Sequence, residues 1–417
     1  MWFEIYHYYA NKKEWKERLQ SSLKGLNYTN LAQRINNKNI KSLYGEKLNT
    51  SVSKLERYRS CPFSFHLQYG LNIKERDELK VKTLDTGTFM HDTIDEFFEV
   101  VREQGKKAKE LEEDEVNEII DQIIDNKLML NKNYIFNSTP KYQLLVIRLK
   151  RVVKKSMKYI LQTLTKGEFD IMATELEFKE DSKYKPIVLE LDDGRKVELT
   201  GKIDRIDIAQ NEDGKYIRII DYKSSVKNID LNSVMAGLQI QLLTYLDAAV
   251  NIEDMMPAGV LYFNLIDPMV KSNKRLTDDE IEEEIRKNFK MNGLILADVK
   301  TVKLMDRDLN KGASKVVPAY IDSSGNLSPS RSSAITRKQF ASLQKYMHKI
   351  IKDISTEIME GNIDIKPYYK NKKTPCEFCA YKSICNFKNG FCNNKYNYIQ
   401  ERDKLDILNE LEEFENV

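Results

Sequence analysis

Between Ile171 and Lys223 the apolar residues leave a helical period for an alternating one, and no other feature constrains the fold as much. Four strands are predicted there, at Ile171–Phe178, Ile187–Leu191, Lys196–Ile208 and Tyr216–Tyr222. Turn signals at Asp192-Asp193-Gly194 and Asn211–Gly214 separate the last three. Helices are predicted on both sides in sequence. Thr86–Glu103 carries an apolar stripe of Phe89, Ile94, Phe97 and Phe98, and Glu112–Leu130 and Lys141–Lys166 follow it. A helix at Leu231–Val250, a buried strand at Gly259–Leu265, and helices at Thr277–Lys290 and Arg337–Gly361 complete the body. This order predicts an α/β fold with a mixed central sheet flanked by helices. Ser53 and Glu56 have capping-box spacing at the start of a helix that runs into Cys61-Pro62. Asn36–Thr50 reads as a connector and Ser323–Ser333 as a mobile loop.

A chain of 417 residues, 41% hydrophobic and 31% charged, has enough apolar surface for a sizeable core. No apolar run approaches the ~18–20 residues that span a bilayer. The N-terminal MWFEIYHYYANKKEWKERL lacks the apolar stretch of a secretory signal, so a cytoplasmic protein with no membrane partner is expected. The formal charge of +3 balances 67 basic against 64 acidic residues, which does not mark the whole molecule as a nucleic-acid binder. Acidic runs at Glu110–Glu115 and Asp278–Glu284, and basic residues over Lys141–Lys155 and Lys366–Lys373, read as solvated faces.

The strongest chemical signal spans two adjacent predicted strands, G-K-I-D-R-I-D at 201–207 and R-I-I-D-Y-K at 218–223. Side chains alternate along a strand, so Asp221 and Lys223 share a face with Ile217 and Ile219. Charged groups on an apolar face cost several kcal/mol unless paired or bound to a metal. Phosphodiester hydrolysis needs a Lewis acid, an activated water and positive charge near the transition state. Asp204 and Asp221 suit Mg²⁺ or Mn²⁺, Lys223 suits the attacking water, and the Tyr222 carbonyl is placed to add an oxygen ligand. D-x-K is also the pattern of a structural ion pair at a strand end. Gln241 and Tyr245, four apart in Q-L-L-T-Y, share a helix face from which they can reach DNA phosphates or support the metal. His91 in G-T-F-M-H offers a neutral imidazole as a further metal ligand.

The ordered set of His91, G-K-I-D-R-I-D, D-Y-K and Q-L-L-T-Y resembles the RecB-like branch of the PD-(D/E)XK nucleases, whose core is restriction-endonuclease-like. The resemblance implies Mg²⁺ held by Asp204 and Asp221 with His91, Lys223 serving the attacking water, and Gln241 and Tyr245 as the trailing motif. An upstream acidic position falls on Glu175 or Glu177 of T-E-L-E-F.

Five cysteines in a chain of this kind argue against a disulfide scaffold. Cys376, Cys379 and Cys385 crowd one short segment, and a fourth ligand could come from Cys61 or Cys392. A set of four thiolates suits structural zinc or an iron–sulfur cluster. L-x-x-Y-x-x-C-P-F near the start and P-C-x-x-C-x5-C near the end resemble the iron–sulfur nuclease domain of the AddB-type component of AddAB helicase–nucleases. S-V-S-K-L-E-R-Y at 51–58 and Y-K-S-I-C at 381–385 agree. The resemblance implies a [4Fe–4S] cluster on Cys61, Cys376, Cys379 and Cys385, with Cys392 left free.

By that likeness, residues 1–50 form an N-terminal helical segment and 51–395 a nuclease domain with a C-terminal iron–sulfur loop. A helical insert at about 86–167 and a catalytic core at about 168–266 lie within the domain, and a C-terminal helix occupies 396–417. The expected activity is Mg²⁺-dependent exonucleolytic hydrolysis of single-stranded DNA, in double-strand-break processing with an AddA-like helicase partner. Proteins of that kind are much longer and carry a helicase-like region. The chain has no G-x-x-x-x-G-K-[ST] phosphate loop, so by itself it is expected not to hydrolyse ATP and to correspond to a C-terminal nuclease portion or a shortened relative. Two other classes share features with it: a non-cleaving module stapled by a cluster, and a CRISPR-associated exonuclease.

Overall fold

The computed structural model describes residues 2–26, 32–76, 80–130, 135–253, 255–390 and 394–414. The chain forms two compact units, each assembled from segments distant in sequence. The larger comprises Tyr44–Glu56, Glu75–Thr356 and Gln400–Val417, and the smaller Met1–Leu43, Arg57–Lys74 and Glu357–Ile399.

The larger unit is built on one mixed sheet of eight strands among the described residues. In chain order it begins with β1 (Leu48–Ser51), which leads into helix α1 (Val52–Ser60). Three helices follow, α2 (Thr83–Glu103), α3 (Glu113–Met129) and α4 (Pro140–Lys166). Then come β2 (Asp170–Phe178), β3 (Ile187–Glu190), β4 (Lys196–Asn211) and β5 (Gly214–Lys223). Short α5 (Leu231–Met235) and α6 (Gln241–Glu253) connect to β6 (Met256–Asn264). After α7 (Asp278–Asn288) come β7 (Asn292–Leu296), α8 (Val299–Met305), β8 (Ala334–Ile335) and α9 (Arg337–Met359).

The sheet runs β1-β4-β5-β6-β7-β8, and β2 and β3 also pair with β4. Pairings β1–β4, β5–β6 and β7–β8 are parallel, and the rest are antiparallel. The central strand β5 is buried from Tyr216 to Tyr222 because both sheet faces are covered, so its apolar run is nearly continuous. Local chemistry sets the helix starts. The Thr139 hydroxyl accepts from Tyr142 N ahead of Pro140, and Thr277 and Glu280 form a capping box at α7. The predicted α/β sheet flanked by helices is the observed fold.

Several local expectations are corrected. The connector expected at Asn36–Thr50 contains a helix, Asn37–Tyr44, and strand β1, whose partner is β4 far along the chain. Ser53 and Glu56 form no capping box; the Ser51 hydroxyl accepts from Lys54 N at 3.4 Å, and Glu56 points elsewhere. The single helix expected at Leu231–Val250 is split into α5 and α6 at Gly237, whose φ of +77° belongs to a turn rather than a helix. Strand β7 and helix α8 were not anticipated. The Ser323–Ser333 segment is hydrogen-bonded, with Asp322 accepting from Ser324 N and Asn326 N and the Ser332 hydroxyl accepting from Tyr320 N. The basic run on α4 is balanced locally, as Lys150 pairs with Asp121 and Asp125, and Lys154 pairs with Asp121 of α3.

Candidate active site

The two faces of β4 and β5 carry different chemistry because the strand period is two. On one face Arg205 donates to both Asp207 carboxylate oxygens, at 2.6 and 2.7 Å, and Arg218 Nε donates to Asp207 Oδ2 at 2.9 Å. All three are buried, and the Arg218 guanidinium also lies 4.3 Å over the Phe169 ring. Burial pushes the Arg218 pKa down, against the pull of Asp207. One carboxylate therefore ties adjacent strands together beneath the opposite face.

That opposite face carries Asp204, Asp221 and Lys223. The Tyr222 backbone N–H donates to Asp204 Oδ2 at 2.8 Å, fixing the carboxylate across the β4–β5 junction. His91, from α2, places Nδ1 3.2 Å from the same oxygen. Lys223 pairs with Asp221. Asp221 is 3% exposed, and its pKa is pushed up to about 6, first by burial and then by the neighbouring Asp204 charge. Two carboxylates disfavouring each other's charge in a buried place is what a cation site looks like before its cation arrives.

Glu175 joins them. In β2 the register pairs Thr174 with Arg205 and Leu176 with Ile203, so Glu175 stands across from Asp204. Its backbone is left-handed, with φ 49°, a conformation that costs on the order of 1 kcal/mol for such a residue and re-aims its side chain. His91, Glu175 and Asp204 bring one ligand atom each within 4.8 Å of one another. Glu177 is exposed and pairs with Lys179 instead, so of the two upstream candidates the fold selects Glu175, which also pairs with Lys202.

Gln241 and Tyr245 share a face of α6 as expected, and Gln241 Nε2 donates to the Tyr245 hydroxyl at 3.1 Å. Burial raises the Tyr245 pKa, with Asp221 and Asp204 adding to it. The Tyr245 ring meets Phe178 edge-on, and Gly201 makes that packing possible, since a Cβ there would lie 2.5 Å from the Phe178 ring. The Tyr222 side chain lies on the reverse face, where its hydroxyl is 3.5 Å from Arg205 Nη1.

Two side chains at the site were not anticipated. Glu56 Oε1 accepts from Ile240 N at 2.8 Å and Gln241 N at 3.0 Å, capping α6 from a distant part of the chain. Burial raises the Glu56 pKa, opposed first by Lys227. Lys227 follows β5 and places Nζ 5.1 Å over the Tyr262 ring, where Lys223 Nζ lies at 5.7 Å. Its sequence signal was no more than a second lysine four residues after D-Y-K.

The PD-(D/E)XK nuclease superfamily model matches residues 49–386, which include every residue of this site. The chain belongs to the PD-(D/E)XK nuclease superfamily. It is also similar to bacterial proteins named as the B-type component of an ATP-dependent helicase/deoxyribonuclease. It is 40% identical to the one from Acetivibrio thermocellus over 413 residues, covering 98% of this chain and 36% of the relative. The Clostridium tetani protein is 40% identical over 415 residues, with the same two coverages. A Thermoanaerobacter protein is 37% identical over 417 residues, 99% of this chain and 36% of its own length. The chain thus spans about a third of the length of the curated relatives it matches.

In the smaller unit Cys61, Cys376, Cys379 and Cys385 are unbridged and line one cavity of about 260 Å³. Cys61 is buried at the N-cap of the short helix Pro62–Phe65, and its pKa is pushed up to about 11 by burial and by Cys376. Burial also raises Cys376 and Cys385, and neighbouring thiols add to the rise. Phe63, Ile365, Pro367, Phe387 and Tyr396 complete an apolar wall that suits a group held by thiolates. Cys392 lies outside the described residues.

Proposed function

We propose that this chain is a metal-dependent deoxyribonuclease that hydrolyses phosphodiester bonds of single-stranded DNA, as an exonuclease in double-strand-break processing. The observation that carries the reading is the convergence of His91, Glu175 and Asp204 within 4.8 Å beside the Asp221–Lys223 pair. Asp204, Asp221, His91 and the Tyr222 carbonyl are the proposed ligands of Mg²⁺ or Mn²⁺, and Glu175 extends that set. A divalent cation held there supplies Lewis-acid polarisation of a phosphoryl oxygen and acidifies water. Lys223 orients the attacking water and balances developing negative charge, which requires it to exchange Asp221 for the substrate. Gln241 and Tyr245 fix the phosphate backbone from the side of α6. His91 edges against the Tyr222 ring, so its imidazole cannot swing freely away from Asp204.

The four cysteines of the smaller unit are the proposed ligands of a [4Fe–4S] cluster. A tetrahedral zinc with bonds of about 2.3 Å holds its sulfurs roughly 4 Å apart. Among the described residues no three of these thiols lie within 4.8 Å of one another, although all four face one cavity, and that wider spread favours a polynuclear cluster. The names of the similar proteins support work with an AddA-like helicase partner on DNA in the cytoplasm. Among the described residues no helix is long and apolar enough to cross a membrane.

Asp221→Ala tests the nuclease reading. End-labelled single-stranded DNA should be degraded by the unsubstituted chain with Mg²⁺ and not with EDTA. The variant should lose at least about 100-fold in rate while keeping its melting profile. Undiminished cutting by the variant would refute the assignment.

A further inference from the structure

Lys227 is half-buried on the loop between β5 and α5, and its place is fixed from below. Its backbone N–H donates to Asn264 Oδ1 at 3.4 Å, and buried Asn264 is the register partner of Lys223 on β6. Both lysine ammoniums therefore approach the same Tyr262 ring, at 5.1 and 5.7 Å. Their counter-charges differ. Lys223 has Asp221, whereas Lys227 Nζ has no carboxylate oxygen within 4.0 Å among the described residues. Glu56 is the nearby acid, but its Oε1 is committed to the two backbone donors that open α6. Burial and the repulsion of Lys223 both lower the Lys227 pKa, which marks a cation lacking a full partner. A partly desolvated ammonium beside a second one is costly until an anion sits near both.

We infer that Lys227 is a second substrate-contacting cation, which binds a backbone phosphate of the DNA strand next to the one engaged by Lys223. The inference rests on the nuclease reading for its substrate. Tyr262 supplies the platform through its ring face, and Glu56 limits the net charge of the pair without occupying the anion position. A mobile anion is thereby preferred over an internal ion pair.

The test measures binding of a labelled single-stranded oligothymidylate by the full chain, with Ca²⁺ replacing Mg²⁺, across a series of salt concentrations. Removing one phosphate contact to a single strand lowers the slope of log K against log salt by about 0.7. Lys227→Met should show that drop, and Lys227→Arg should restore the slope. An unchanged slope in Lys227→Met with an unchanged melting profile would overturn the proposal, because a purely structural lysine releases no counterions. If Lys227→Met fails to fold, Lys227→Gln carries the same measurement with a polar side chain. Cleavage by the unsubstituted chain is scored separately. An inert chain whose slope still falls in the variant keeps the phosphate contact and discards the nuclease reading. An active chain with an unchanged slope discards Lys227 alone.

Discussion

Asp221 shows how one residue can be set by its surroundings. Its carboxyl is buried beside Asp204, and Lys223 compensates only part of the cost, so its pKa in the folded, metal-free protein rises to about 6. A raised carboxyl pKa means that the folded state holds a proton that the unfolded chain has already released. Stability of the metal-free protein should therefore fall as pH rises from about 4 to about 6, and the deficit should persist above that window. Asp221→Asn removes the titration. In EDTA at neutral pH the variant should be more stable than the parent by on the order of 2 kcal/mol, and the two should converge near pH 4. Melting curves across this range check it; a parent whose stability rose through the window would contradict the cause assigned here. The left-handed Glu175 belongs to the same scale. It accepts backbone strain to stand opposite Asp204, and its neighbour in pattern, Glu177, does not.

Strand β4 does two jobs at the scale of an element, one on each face. Asp204 faces the candidate metal site, and Asp207 holds two buried guanidiniums on the other side. Replacing Asp207 with Asn should destabilise the larger unit by about 3–5 kcal/mol, because two buried cations lose the carboxylate they share. Chemical denaturation measures this, and a loss below about 1 kcal/mol would show that Tyr222 and Phe169 suffice. Helix α6 is likewise set from outside itself. Its first turn is capped by Glu56, and its Tyr245 rests on Phe178, which needs Gly201 beneath it. The capping-box spacing of Ser53 and Glu56 was misleading because the same carboxylate found two buried donors elsewhere, and burial strengthens that alternative.

Over the whole molecule, the cysteines bring together the two ends of a long stretch of chain within the smaller unit. A bound cluster there would restrict the unfolded chain strongly, since closure entropy grows with loop length. Protein purified without oxygen should be brown with broad visible absorption and contain iron rather than zinc. Cys61→Ala should lose the colour and lower the melting temperature of the protein, whereas Cys392→Ala should change neither. A colourless protein holding stoichiometric zinc would replace the cluster with a single ion.

The sequence by itself determined the helix–strand order and the chemistry of the site. Both are written in local periods: alternation places Asp221 and Lys223 on one face, and a spacing of four places Gln241 and Tyr245 on another. Only the tertiary structure decided between Glu175 and Glu177, because a single left-handed residue inverts the alternation that a period assumes. Only the tertiary structure brought Glu56 to α6 and Lys227 to Tyr262, because those contacts depend on strand pairing and loop paths between segments that no local pattern relates.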